Sequence, residues 1–220
     1  SADRKYILNF GQRAFSHSVP SGYKKLCSKN LPVPTIKDGT SYFNNVLYTG
    51  NGSTQSVSGL EFQPDFVWIK ERSATSESKM FDAVRGVQKA LSSSSSAAEE
   101  DQSNYLTSFN ANGFAVGNDG AVNENSQTYV AWCWEESASA GFDILSWTGN
   151  ATNRTISHSL GAVPELMIVK LSGADDVWKV YHKDIGNTKF LMLNTADAAQ
   201  TESGNWNDTT PTSSVISIGT

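Results

Sequence analysis

The side chains that could do chemistry in this sequence are its carboxylates, its three histidines and its aromatic rings. Enzymes of sandwich fold that cut polysaccharides place two carboxylates about 5–9.5 Å apart, one on each side of the bond. On a strand this requires acids at alternating positions, and none occur in that pattern. Glu99, Glu100 and Asp101 are consecutive and follow a serine run, where a solvated acidic patch is expected. Asp175-Asp176 reads the same way, and Asp143, Asp184 and Asp197 have no carboxylate partner at a telling spacing. His17, His158 and His182 are scattered, without the spacing of metal ligands. No Gly-x-Ser-x-Gly elbow and no phosphate-cradling glycine loop is present, and serines without a neighbouring base do not make a nucleophile. Asn118-Asp119-Gly120 with Asn123-Glu124-Asn125 offers oxygen ligands of the kind calcium takes. Their spacing is not that of an EF-hand, and an ordinary polar turn is expected. The sequence thus predicts no enzyme, no metal and no cofactor.

Aromatic rings can also serve by stacking on sugars. Trp68, Trp132 and Trp134 lie in apolar runs and are expected in the core. Trp178 and Tyr181 lie in a mixed segment, and Trp206 is flanked by polar residues. Trp206, Trp178 and Tyr181 are therefore the candidate glycan contacts. Cys27 and Cys133 read as two unrelated buried thiols, since two cysteines this far apart argue for neither a disulfide nor a metal pair.

Short strands must position these groups. Phe66–Lys70 and Leu166–Leu171 are short apolar runs, Tyr129–Trp134 is rich in strand formers, and Asn51-Gly52, Asn112-Gly113, Asp119-Gly120 and Ser172-Gly173 are turn signals. The pattern predicts an all-β protein of tandem β-sandwiches, jelly-roll or lectin-like. Met80–Leu91 is the one candidate helix.

The chain also repeats itself. Tyr48-Thr49-Gly50-Asn51 matches Trp147-Thr148-Gly149-Asn150 at an offset of 99 residues, and Pro64–Lys70 matches Pro164–Lys170 at 100. Gly86, Lys89 and Leu91 match Gly186, Lys189 and Leu191 at 100, and Phe114–Gly117 matches Ile216–Gly219 at 102. These matches predict copy one over residues 31–136 and copy two over 142–220. The serine-rich stretch from Ser92 to Asp101 is a loop inside copy one. Copy two lacks a counterpart of Tyr129–Trp134, which implies a longer natural chain. Residues 1–30 belong to neither copy.

The 220 residues carry a net charge of −5, with 38% hydrophobic and 18% charged residues. That excludes disorder, and the absence of a Lys/Arg run argues against nucleic acid. No apolar stretch reaches the roughly 18–20 residues that cross a membrane as a helix.

Asn9-Phe10-Gly11-Gln12-Arg13-Ala14-Phe15, Pro20–Cys27 and Asn30-Leu31-Pro32 resemble the final strand and exit of SPRY domains in bacteriophage proteins. Val46–Gly52, Pro64–Lys70, Asp82 with Arg85-Gly86, and Tyr129–Trp132 resemble a β-rich domain of unassigned function. That domain is found in tandem behind phage SPRY domains, especially in marine and cyanobacterial phages. The resemblance implies that residues 1–30 end a SPRY-like β-sandwich. It further implies a non-enzymatic virion component, a tail fibre or other surface appendage. Such a protein assembles with itself, often as a trimer, and with other virion proteins. A carbohydrate-binding module recognising host glycans is the alternative reading.

Overall fold

The computed structural model describes residue 9, residues 13–24, residue 31 and residues 33–220. Most of the expected SPRY-like segment, with Cys27, lies outside the described residues. Residues 1–37 and 38–220 form separate compact units, and the account below concerns the second.

The unit is all-β, as its composition predicts. Its first half contains β1 (Phe43–Thr49), β2 (Gln55–Ser58), β3 (Phe66–Glu71), β4 (Lys79–Asp82), β5 (Lys89–Ser92), β6 (Glu100–Asp101), β7 (Leu106–Asn110), β8 (Gly113–Val116) and β9 (Thr128–Trp134). A single helical turn, α1 (Gly120–Asn123), precedes β9. One antiparallel sheet runs β1-β9-β3-β4-β5-β6 and a second runs β2-β8-β7. Val57, Phe114 and Val116 from the small sheet meet Val67, Ile69, Phe81, Tyr129, Ala131 and Cys133 from the large one in a single core. β9 lies between β1 and β3, and its residues alternate between fully buried and half-buried, the period of a strand with two different faces. Its inward positions are Tyr129, Ala131 and Cys133, all fully buried. Burial pushes the Cys133 thiol up to about 12, so it packs as an inert small side chain.

The second half contains β10 (Arg154–Ser157), β11 (Leu166–Val169), β12 (Lys179–His182), β13 (Lys189–Met192), β14 (Gln200–Thr201) and β15 (Val215–Ile218). Sheets β11-β12-β13-β14 and β10-β15 enclose Ile156, Met167, Tyr181, Phe190, Trp206 and Ile216. These strands retrace β3-β4-β5-β6 and β2-β8 at offsets of 99 to 102 residues. The agreement extends to single hydrogen bonds. Ala83 N donates to Asp65 O at 2.8 Å, and Lys183 N to Glu165 O at 2.9 Å. Gln102 N donates to Gln88 O at 3.0 Å, and Glu202 N to Thr188 O at 2.9 Å. Gly117 N donates to Tyr105 O at 2.7 Å, and Gly219 N to Asn205 O at 3.1 Å. Lys70 reaches forward to the carbonyls of Glu71 and Ala74, as Lys170 does to those of Leu171 and Ala174.

Glycine is required at the crossing of the two sheets in both halves. A Cβ at Gly117 would lie 2.3 Å from Asn104 O, and one at Gly219 would lie 1.6 Å from Gly204 O. Both are inside any real contact, so the match at these positions has a steric cause.

Met80–Leu91, the one candidate helix, is a hairpin. β4 and β5 pair as Lys79↔Ser92 and Met80↔Leu91. The chain reverses through Gly86 (φ 94°) and Gln88 (φ 75°), a left-handed geometry that no helix contains.

Candidate functional site

The three rings expected to meet glycans are buried: Trp206 is 2% exposed, Trp178 4% and Tyr181 2%. They offer no free face for a sugar, and the assignment is corrected accordingly. The polar neighbours of Trp206 in sequence misled because the segment turns over the ring, with Asn207 and Asp208 in left-handed conformations. Trp206 stands edge-on to Tyr181 at 5.8 Å and donates its indole N–H to Lys189 O at 3.0 Å. Tyr105 stands against Phe81 in the same way at 6.1 Å, so Trp206 is the second half's version of that core contact.

Trp178 does something different. It leads into β12, but its ring leaves its own sandwich and packs on Met80 and Leu91 of the first half, beside Phe66, Trp68 and Leu193. Its indole N–H is shared between Ser92 O at 2.9 Å and Ser95 O at 3.1 Å. Phe142 covers the other end of the same face, stacked on Trp134 at 6.1 Å and edge-on to Phe66 at 5.9 Å. Trp68, Trp132 and Trp134 are therefore not interior, as their apolar runs suggest. They are half-buried on the outer face of the large sheet, and Trp68 and Trp132 pair across strands at 5.9 Å.

The serine-rich loop is part of this seam. Ser92 and Ser93 are buried. Ser96 O accepts from Asp176 N at 2.9 Å, Ala98 N donates to Asp175 Oδ1 at 2.9 Å, and Glu99 N donates to Ser172 O at 2.8 Å. Low sequence complexity here reflects a backbone that bonds through its own amides and needs no large side chains. A cleft of about 490 Å³ opens along the seam between Trp68, Ser93, Ser94, Leu193, Asn194 and Thr195. The indole N–H of Trp68 is buried without a hydrogen-bond partner.

The acidic run of the first half is paired and not merely solvated. Glu100 accepts from Lys79 Nζ at 2.9 Å and from the Tyr105 hydroxyl at 2.7 Å. Burial opposes its charge, but these donors win and hold its carboxyl below the usual range. Arg85 bridges Asp82 at 2.6 Å and Glu99 at 2.9 Å, and Lys89 meets Asp101 at 2.5 Å. Lys79 on β4 and Lys89 on β5 reach Glu100 and Asp101 on β6, and Arg85 in the β4-β5 turn reaches Glu99, pairings that local sequence does not reveal. In the second half Asp82, Arg85, Glu99, Glu100 and Asp101 are replaced by His182, Ile185, Ala199, Gln200 and Thr201, and Lys179, the counterpart of Lys79, turns to Glu202 at 3.6 Å and Asn205 at 2.5 Å.

Asp143 does have a carboxyl partner. Where the chain passes from one half to the next, Glu136 and Asp143 hydrogen-bond each other. Burial, and then Asp143, raise the pKa of Glu136. Burial of Asp143 is outweighed by hydrogen bonds from Ser159 and Glu136, and its pKa falls. Their other oxygens are taken: Glu136 accepts from Ile144 N at 3.1 Å, and Asp143 accepts from Ser159 N at 2.6 Å and Oγ at 3.0 Å. Two carboxyls in direct contact cannot flank a glycosidic bond, so the arrangement fastens the connection.

The turn considered for calcium is fastened internally. Asp119 caps α1 by accepting from Ala121 N at 2.8 Å. Asn123, fully buried, binds Asn51, Ser53 and Gly117 through its amide. Among the described residues no group of three or more His, Cys, Asp or Glu is placed to hold a metal. Asn123 was legible only as a candidate calcium ligand and not as a buried anchor, and Glu136 and the seam gave no direct sequence signal. Only the aromatic density around residues 129–134 and 142–147 hinted at the last.

A family model described as a domain of unknown function, DUF7483, matches residues 38–220. The chain belongs to that family. No curated protein and no solved structure matches.

Proposed function

We propose that this DUF7483 member is a structural and adhesive module of a phage virion, in a tail fibre or other surface appendage, and that it is not an enzyme. The observation that carries the reading is the seam. The polar groups closest to a catalytic arrangement, Asp82 with Arg85 and Glu136 with Asp143, are spent on each other and on the backbone. The most aromatic surface of the first half is spent on the second. A module whose surface chemistry joins copies end to end suits a load-bearing array. The phage context comes from the resemblance at Val46–Gly52, Pro64–Lys70 and Tyr129–Trp132. On this reading the protein assembles with itself, as a trimer, and with other virion proteins, and it is exposed on the particle. Mass spectrometry of purified particles of a phage carrying the gene tests it. The protein should be present in stoichiometric amount, and its absence from particles refutes the proposal.

The cleft at the seam favours the second reading, a module that binds host glycans. It combines the Trp68 ring with hydroxyl and amide groups from Ser93, Ser94, Asn194 and Thr195, the mixture that sugar recognition uses. A glycan array with the wild-type chain and Asn194→Ala tests it. Binding that the substitution weakens supports the second reading, and no binding to any host glycan removes it.

A further inference from the structure

We infer that the free edge of β11 is a strand-acceptor site, and that its occupant is an extended segment with the chemistry of β9. In the first half β9 lies between β1 and β3, in register Ile69↔Ala131↔Val46 and Trp68↔Trp132↔Asn45. Its inward side chains fill the core, and its outward Trp132 and Trp134 pack on Trp68 and Phe66. β11 is the counterpart of β3, yet among the described residues it pairs only with β12. Residues 142–148, the counterpart of β1, form no strand.

The consequence shows on the surface. Leu166 is 55% exposed and Ile168 41%, whereas their counterparts Phe66 and Trp68 are half-buried against Trp134 and Trp132 of β9 and against the seam. Leu171 is 54% exposed where Glu71 is 6%. An apolar edge with unpaired backbone N–H and C=O groups is a template for one more strand.

The occupant's chemistry follows from the position. It runs antiparallel to β11, with small or aromatic residues inward like Tyr129, Ala131 and Cys133, and large rings outward.

The test uses the 220-residue chain and a synthetic peptide of residues 117–135 carrying Cys133→Ser. Saturable one-to-one binding is expected, with slowed amide exchange over Leu166–Val169 and a raised Tm. The same peptide with Ala131→Pro should not bind, because proline removes a ladder donor. Ile168→Lys in the protein should weaken capture by about fivefold, the value of one cross-strand pair. Failure of the peptide to bind overturns the inference. So does protection of the same amides that rises with protein concentration alone and accompanies a doubling of mass, since the occupant would then be β11 of a second molecule.

Discussion

Replacing Trp178 with alanine should uncouple the two halves. The ring is 4% exposed and lies on Met80 and Leu91, and truncating a buried tryptophan costs about 3–5 kcal/mol. Its indole N–H also serves the carbonyls of Ser92 and Ser95, and losing that donor adds about 1 kcal/mol. The expected total of about 4–6 kcal/mol is comparable to the whole stability of a small domain. The first half keeps its own core, which does not include Trp178. Urea unfolding followed by backbone circular dichroism should therefore change from one transition to two. Trp178→Phe keeps most of the apolar contact and loses only the N–H, so it should cost about 1–2 kcal/mol and preserve a single transition. A double-mutant cycle with Leu91→Ala should show a coupling of about 0.5–3 kcal/mol. If Trp178→Ala costs less than about 1 kcal/mol, or the cycle shows no coupling, the seam does not hold the halves together and the reasoning fails.

Asp82→Ala should cost about 3–5 kcal/mol in chemical denaturation, because it leaves the Arg85 guanidinium partly buried with one partner fewer. His182→Ala, at the matching position but with a 41% exposed side chain, should fall within about 0.5 kcal/mol of wild type. Asn123→Ala should cost about 2–4 kcal/mol, since Gly117 O and the Asn51 and Ser53 groups lose their partner. Asn123→Asp should be no better, because a carboxylate cannot donate to those carbonyls. The raised pKa of Glu136 means that the fold holds its proton more tightly than the unfolded chain does. That contribution is present in acid and lost as pH rises through the raised value. The lowered pKa of Asp143 acts oppositely, and its contribution is lost as pH falls. Glu136→Gln keeps a donor toward Asp143 at every pH, so its Tm relative to wild type should climb as pH rises through the raised pKa of Glu136; a flat difference would show that contact with Asp143 does not hold the Glu136 proton.

The fold class and the repeat were legible because backbone needs recur as residue types. Pro64 and Pro164 precede matching strands, and Gly117 and Gly219 occupy crossings that admit no Cβ. The hairpin over residues 79–92 was not legible. Met80, Val84, Val87 and Leu91 fall at helical spacing, and only the positive φ at Gly86 and Gln88 reveals the reversal. The acidic run and the buried rings were misread for one shared reason. Lys79, Arg85 and Lys89 reach Glu99–Asp101 across strands, and Trp178 reaches Ser92 across the seam. Such partners are fixed by sheet order, which a linear reading does not contain.

The central claim is that residues 142–220 repeat the β2-β3-β4-β5-β6-β8 part of residues 38–136, down to several single backbone hydrogen bonds. Residue-resolved amide hydrogen exchange on the intact chain tests it most directly. The account predicts protection in pairs: Ala83 with Lys183, Gln102 with Glu202, and Gly117 with Gly219. Protection of Ala83, Gln102 and Gly117, with Lys183, Glu202 and Gly219 exchanging at the rate of an open chain, would contradict it.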